Sequence, residues 1–501
     1  MSKLTLHKNW LDLKVVAYCF IYCFVVLLFL SRDSWLHNVF DRGDGAWYFL
    51  CGKAWMNGLV PYVDFADSKG PLLWLIYGIA YLISPRDYIG VFGMEIFFYT
   101  FTLFFLYKIV RLFVDKWWMA VICVAIMPFF FFNTGTHDEV KSEDFSTTFI
   151  ACALYLNCLL FYGDSSHRQK LAWKSVAVGV CIGATLLMKY TASAMCVCFA
   201  VAIWYVAWRQ NGWTAMLRQM GWQLLGGVLI CLPFAIYLWK VNAFSAFIHE
   251  YFINTLFTVQ EVGNTKYQDF LYLLVRFRPL QTFSFLLIWS CLMPLFCFKQ
   301  NRWYPLLLFA WFIAPLFAWP KMYYMNVYTI FFIWWMISVF VMWNDRKVEQ
   351  QKVVWLISGV AMFLFVGYNL RFNIRNFYDK DYPKYPKSVE ASIIMAKMDM
   401  PTYMIWDAGE QGEGILANAL PACKYWARQV GATKEMHDEQ ADAVNNKRAD
   451  FIILQQRNGD ATNELLYKER TKELLRLNYK KLISYEMADG LWTRTLFKRI
   501  D

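Results

Sequence analysis

Residues 41–78, DRGDGAWYFLCGKAWMNGLVPYVDFADSKGPLLWLIYG, set Asp41, Asp44, Asp64, Asp67 and Lys69 among Trp, Tyr and Phe. A carboxylate fixed in such surroundings can take the proton from an acceptor hydroxyl, and a lysine beside it can hold a phosphate. Helix capping is the competing use of the same acids. Residues 133–144, NTGTHDEVKSED, form a second acidic cluster, in which His137, Asp138, Glu139 and Glu143 offer oxygen and imidazole donors to a divalent cation. Here too capping competes, with Ser142 and Asp144 opening the next helix. Lys189 and Lys321 each stand at the end of an apolar run. A cation at the edge of a membrane segment suits a lipid phosphate, and snorkelling to the headgroups is its plain alternative.

The elements that must position these residues are hydrophobic helices. Of the 501 residues, 58% are hydrophobic, 20% aromatic and only 17% charged, far from the roughly one-quarter charged of soluble chains. The 24 Trp and 30 Tyr fit many membrane interfaces, where an apolar ring with a polar tip sits at headgroup level. The net charge of +11 is spread between apolar runs and not gathered on one basic segment, which argues against nucleic acid as a partner. Most of the 13 Cys lie inside apolar runs as small hydrophobes, and no metal-ligand spacing appears. Cys51 and Cys423 fall in aqueous segments, so a bridge between them is open to test.

Apolar runs that approach the length of a span cover 15–30, 91–110, 117–132, 145–162, 173–188, 191–208, 222–239, 280–298, 303–319, 327–343 and 353–370, giving about eleven spans. The first lacks a small-residue cleavage site and reads as a retained anchor. The run 71–84 is too short to cross with ease, and charge decides its placement. If it lies along the interface, the basic loops around Lys116, Arg168, Arg209, Lys299 and Arg346 all fall on the side of the N-terminal lysines. That satisfies the positive-inside rule and puts the N-terminus in the cytoplasm. Segments 31–90, 133–144 and everything after Arg371 then share the outer face, where the chemistry belongs.

The chain thus divides into a membrane module, 1–370, with outer-face loops 31–90 and 133–144, and a soluble periplasmic domain, 371–501. In the latter, apolar strands are expected at 402–406, 451–455, 481–485 and 491–497, with helical patterns at 434–446 and 462–477. That alternation predicts a small α/β domain. GEQGEG at 409–414 carries two glutamates where a phosphate would have to approach, so it reads as a strand-to-helix turn and not a dinucleotide site. Lys424 and Arg428 read as solvated cations, or as cations turned toward the membrane or a substrate.

DGAWYFL at 44–50, followed by GLVPYVDFADSKGPLL at 58–73, resembles the GT-C glycosyltransferases, in particular the bacterial branch related to protein mannosyltransferases and to aminoarabinose or galacturonic acid transfer onto lipid A. SEDF at 142–145 is similar to that family's second-loop acidic segment, and MKYT at 188–191 to its lysine at a span end. The resemblance implies a GT-C-like α-helical polytopic fold in the bacterial inner membrane and a polyprenyl-phosphate sugar as donor. It also implies a glycan, glycolipid or protein acceptor, and inverting transfer on the outer face among membrane lipids. It makes Asp44 the catalytic aspartate, Lys69 a neighbour of the donor phosphate and Glu143 the second-loop acid. Asp67, His137, Asp138, Lys189 and Lys321 join the substrate-binding set. Many relatives carry a second acid directly after the first, whereas Gly45 follows Asp44 here, so a divalent cation is left open. Two other classes fit a polytopic chain. A transporter or flippase would place ions at mid-bilayer and often show internal repeats, and a glycan ligase or polymerase would transfer a whole chain.

Overall fold

The computed structural model describes residues 12–36, 43–131, 140–162, 171–255 and 388–500 apart from 407, 410–411, 428–433, 458–466 and 488–490, with scattered helical positions between 333 and 367. His137, Asp138, Lys321 and nearly all of the four expected spans between 280 and 370 lie outside the described residues.

Helix α1 (Leu13–Leu30) is apolar around most of its circumference and buries only Cys19, Cys23 and Leu27, as a helix facing lipid does. Asp12 caps it, accepting from the Lys14 and Val15 amides at 3.2 and 3.4 Å. At 25 residues α4 (Ile89–Phe113) is about 37 Å long, enough to cross the hydrocarbon core. It packs against α1, α3 (Pro71–Ile83), α5 (Trp117–Phe131) and α6 (Ser142–Tyr162), and so forms the centre of the described bundle. Among the described residues, three helices are long and apolar enough to cross a membrane: α1, α4 and α8 (Tyr190–Lys240).

Helix α8 is broken at Gly212, whose φ of 78° and ψ of −175° lie outside the helical region. The expected spans 191–208 and 222–239 are its two arms, so the link between them is helical on both sides of one glycine. The second arm packs closely on α7 (Leu171–Met188). A β-carbon on Gly179 would stand 1.9 Å from the Gln223 carbonyl oxygen, and one on Gly226 equally close to that of Val176. Glycine is what lets these backbones meet, as small residues do between helices in lipid.

The expected first loop is largely helical. Helix α2 (Asp44–Met56) buries ten consecutive residues, Gly45 to Ala54, and is therefore wrapped on all sides. Helix α3 opens on Pro71, whose missing amide needs no partner there. Its 13 residues make about 20 Å, short of a span, and Ile79, Leu82 and Ile83 are exposed along one edge.

The C-terminal domain is a five-stranded sheet of order β2-β1-β3-β5-β4, built from β1 (Thr402–Trp406), β2 (Leu420–Pro421), β3 (Phe451–Arg457), β4 (Tyr479–Glu486) and β5 (Trp492–Arg499). β1 runs parallel to β2 and β3, and β5 antiparallel to β3 and β4. Helices at Lys434–Asn445 and Tyr467–Asn478 match the expected alternation. The domain does not hang free, because one apolar core runs from Trp47, Trp74 and Tyr62 into Met404, Trp426 and Phe451. Trp47 and Trp426 meet with ring centroids 4.5 Å apart. Cys51 and Cys423 are both buried in it as free thiols and form no bridge.

Candidate active site

Lys189 interrupts two helices. Its φ of −156° and ψ of 107° are extended, so its side chain leaves from the joint between α7 and α8. The carbonyls that end α7 need donors, as at any helix C-terminus. Two come from distant segments: Gly70 N–H donates to the Met188 carbonyl at 3.0 Å and Tyr251 O–H to that of Leu186 at 2.6 Å. A β-carbon on Gly70 would lie 2.0 Å from the Leu187 carbonyl oxygen. Only glycine permits this approach, which brings Lys69 to the end of the helix that carries Lys189.

The side chains follow from that joint. Lys189 pairs with Glu143, in the first turn of α6, and both are buried. Ser142 donates to the other oxygen of Glu143 at 2.9 Å. Half-buried Lys69 donates to Ser68 at 2.9 Å and lies 5.4 Å from the centre of the Tyr48 ring, a cation–π distance. Burial pushes the Lys189 ammonium down to about 8; Glu143 opposes this, the charge of Lys69 adds to it, and that of Asp44 works against it. Asp67 is buried, with Oδ1 accepting from the Ser68 amide at 2.6 Å, while its Oδ2 has no hydrogen-bond partner among the described residues. Burial raises the Asp67 pKa, Lys69 draws it back, and Asp44 raises it further. Asp44 itself is exposed in the first turn of α2, where the helix dipole favours a carboxylate.

Asp44, Asp67, Lys69, Glu143 and Lys189 therefore share one electrostatic neighbourhood. Two lysines are gathered from segments 120 residues apart, with three carboxylates, Asp44, Asp67 and Glu143, close by. Burial disfavours each charged form in such a group, so its ions depend on one another, and the two ammonium groups are the members able to meet an anion. Asp144 goes the other way. It accepts from the Lys141 amide at 2.7 Å and from Tyr99 at 2.9 Å, so it caps α6 and braces α4. Among the described residues no three His, Cys, Asp or Glu gather as metal ligands.

Residues 68–239, which include Lys69, Glu143 and Lys189, match the family model described as dolichyl-phosphate-mannose-protein mannosyltransferase. The structure is similar to that of ArnT from Cupriavidus metallidurans bound to undecaprenyl phosphate, with a TM-score of 0.59 at 12% identity, over 98% of this chain and 99% of that one. The chain has the fold of the GT-C membrane glycosyltransferases. The apo form of the same ArnT aligns with a TM-score of 0.50 at 13% identity, over 97% and 98% of the two chains. An oligosaccharyltransferase from Archaeoglobus fulgidus aligns at 0.45 and 12% identity, over 88% of this chain and 68% of that one. No protein with a curated description matches by sequence.

Beyond these two lysines, sequence reasoning missed a further group. Glu250 sits in a π-helical turn, Ile248–Asn254, after the second arm of α8. Its Oε1 accepts from Lys424 at 2.6 Å and from Tyr425 at 2.7 Å, both in the C-terminal domain, and Asn254 donates to Oε2 at 2.9 Å. Burial would raise its pKa, but the bonds from Lys424 and Tyr425 and the lysine's charge hold it below the usual glutamate range. Lys424 is thus no solvated cation. Nothing local signals the pairing, since the partners lie 174 residues apart.

Proposed function

We propose that this chain transfers a sugar from a polyprenyl-phosphate-linked donor to a glycan, glycolipid or protein acceptor on the outer face of a bacterial inner membrane. The observation that carries the reading is the meeting of Lys69 and Lys189 beside Asp44 and Asp67. Lys69 and Lys189 hold the donor phosphate, and Lys321, His137 and Asp138 join the substrate-binding set. Glu143 keeps Lys189 charged and aimed. Asp44 is the general base and Asp67 binds substrate hydroxyls through its buried carboxylate. The acceptor oxygen attacks the anomeric carbon from the face opposite the phosphate, so that a new C–O bond forms as the bond to phosphate breaks. The acceptor proton passes to Asp44, polyprenyl phosphate departs, and configuration inverts. A phosphate is already a fair leaving group, so orientation and charge stabilisation do most of the work.

The same reading divides the chain into a membrane module, 1–370, of about eleven spans with a cytoplasmic N-terminus and a periplasmic domain, 371–501. Helix α3 lies along the outer interface, in keeping with its length and exposed apolar edge. Undecaprenyl phosphate, the lipid in the ArnT structure, is the natural probe of the donor site. Native mass spectrometry of the purified full chain should find a polyprenyl phosphate or its sugar adduct retained. An unrelated bound solute with no polyprenyl phosphate would replace transfer with transport.

A further inference from the structure

Glu250 belongs to a strut that joins the outer domain to both lysines of the proposed phosphate site. Its neighbour Tyr251 is fully buried and donates to the Leu186 carbonyl, one turn before Lys189. Phe247, one turn back, stacks on Tyr251 with centroids 5.5 Å apart and meets the Tyr62 ring at 5.1 Å. Tyr62 in turn donates to the carbonyl of Lys69 at 2.8 Å. The π-turn therefore touches the supports of Lys189 and of Lys69. A π-turn carries a strained extra residue and tends to persist where function needs it.

The other end of the strut is Lys424. Its ammonium reaches Glu250, and its backbone carbonyl accepts from the Ala66 amide at 3.1 Å, one residue before Asp67. One residue of the outer domain thus grips both the π-turn and the loop that carries Asp67 and Lys69. The imidazole of His249, at 3.7 Å from Glu250, and the carboxylate of Glu435, at 3.8 Å from Lys424, also face the clasp.

We infer that Glu250, clamped by Lys424 and Tyr425, is a positioning residue that sets the spacing of Lys69 and Lys189 for the donor phosphate, which makes the outer domain a working part of the site. The inference rests on the phosphate-site reading above. Glu250 touches no substrate in this scheme; it acts through Tyr251 and Phe247.

The test uses the full chain in detergent, with undecaprenyl phosphate titrated against the intrinsic fluorescence of its tryptophans. Glu250→Gln and Lys424→Met should each raise the Kd about tenfold, the scale of one charge-assisted bond, with Lys424→Met, which leaves buried Glu250 without its counter-charge, titrated at a temperature where it stays folded. Because Glu250 acts through both lysines, Glu250→Gln should weaken binding less in the Lys69→Ala background than in the wild type, and the swap of Glu250→Lys with Lys424→Glu should restore part of the affinity. A Kd unchanged in Glu250→Gln overturns the inference, as does a full additional loss in the Lys69→Ala background, which a merely structural role would give. Should Glu250→Gln fail to fold, Tyr425→Phe must show a smaller loss in the same direction, and wild-type affinity there overturns it. Lys69→Ala binding like wild type would instead defeat the phosphate-site reading itself.

Discussion

Two buried glutamate–cation pairs in this molecule are built on opposite plans. In the C-terminal domain Arg494 pairs with Glu413, at 1% and 0% side-chain exposure. The rest of its guanidinium is used too, with bonds to the Gly409 carbonyl and to Gln455, each at 2.8 Å. Tyr485 donates to Glu413 at 3.2 Å. Positive and negative charge are matched and ringed by neutral partners, and Gly409 and Glu413 are fastened to the sheet through Arg494 on β5. At the end of α7, Lys189 pairs with Glu143 in the same way, but Lys69 adds a second cation and Asp67 and Asp44 two more acids. That group is crowded with charge and stops short of mutual neutralisation. A matched pair in a core holds a fold, whereas the second, with two cations against three acids and exposed Asp44 beside it, is where we place the substrate.

If that contrast is right, changes at one pair should read out in activity and changes at the other in stability. The largest effect should come from Asp44→Asn, which keeps shape and removes basicity. Release of polyprenyl phosphate from a lipid-linked sugar should fall about 10² to 10⁴-fold, the range for a positioned base, with donor binding and membrane insertion intact. Near-normal release would remove Asp44 from catalysis.

Arg494→Met should instead leave Glu413 buried without its counter-charge and destabilise the C-terminal domain by roughly 3–5 kcal/mol. Limited proteolysis and thermal unfolding would report it. At temperatures where this variant stays folded, its affinity for undecaprenyl phosphate should match the wild type; a parallel loss would mean the two pairs are not separate in kind.

The smallest effect is a pH dependence. Burial holds the Lys189 pKa near 8, with Glu143 pulling it up and Lys69 pushing it down, so the lysine is charged below that pH and neutral above it. A phosphate monoester has its second ionisation near 6 and changes little over this range. Undecaprenyl phosphate affinity should therefore weaken as pH rises from about 7 to 9, by up to about tenfold for loss of one charged contact. Removing the upward pull in Glu143→Gln should move the decline to lower pH. A flat profile in the wild type would detach Lys189 from the phosphate.

Much of the C-terminal domain was legible because strands and amphipathic helices write their period locally. β1 occupies the expected 402–406, and the helix Lys434–Asn445 ends one residue before its expected limit. β2 was missed, since two residues, Leu420 and Pro421, become a strand only by pairing with Thr402 and Tyr403. Segment 44–56 reads as loop because Asp44 and its glycines outweigh the apolar periodicity, yet burial on all sides makes α2 helical, whereas 71–84 reads as a short apolar run and is the helix α3. Within the site, Asp44, Asp67, Lys69, Glu143 and Lys189 were each picked out by residue type and place in the chain. Their pairing was not, because the contact between the 70s and the 180s depends on a backbone approach that no side-chain pattern records. Glu250 was invisible for the same reason.

Gly70 gives that approach an unusual heredity. Every amino acid other than glycine carries a β-carbon, and here it would collide with the Leu187 carbonyl oxygen at 2.0 Å. A single nucleotide change that alters the residue at this codon, conservative or not by ordinary standards, meets the same obstacle and pries the two lysines apart. The spacing of the cations is thus encoded by one position at which no gradual variation is available, while the side chains of Lys69 and Lys189 remain free to be tuned one at a time.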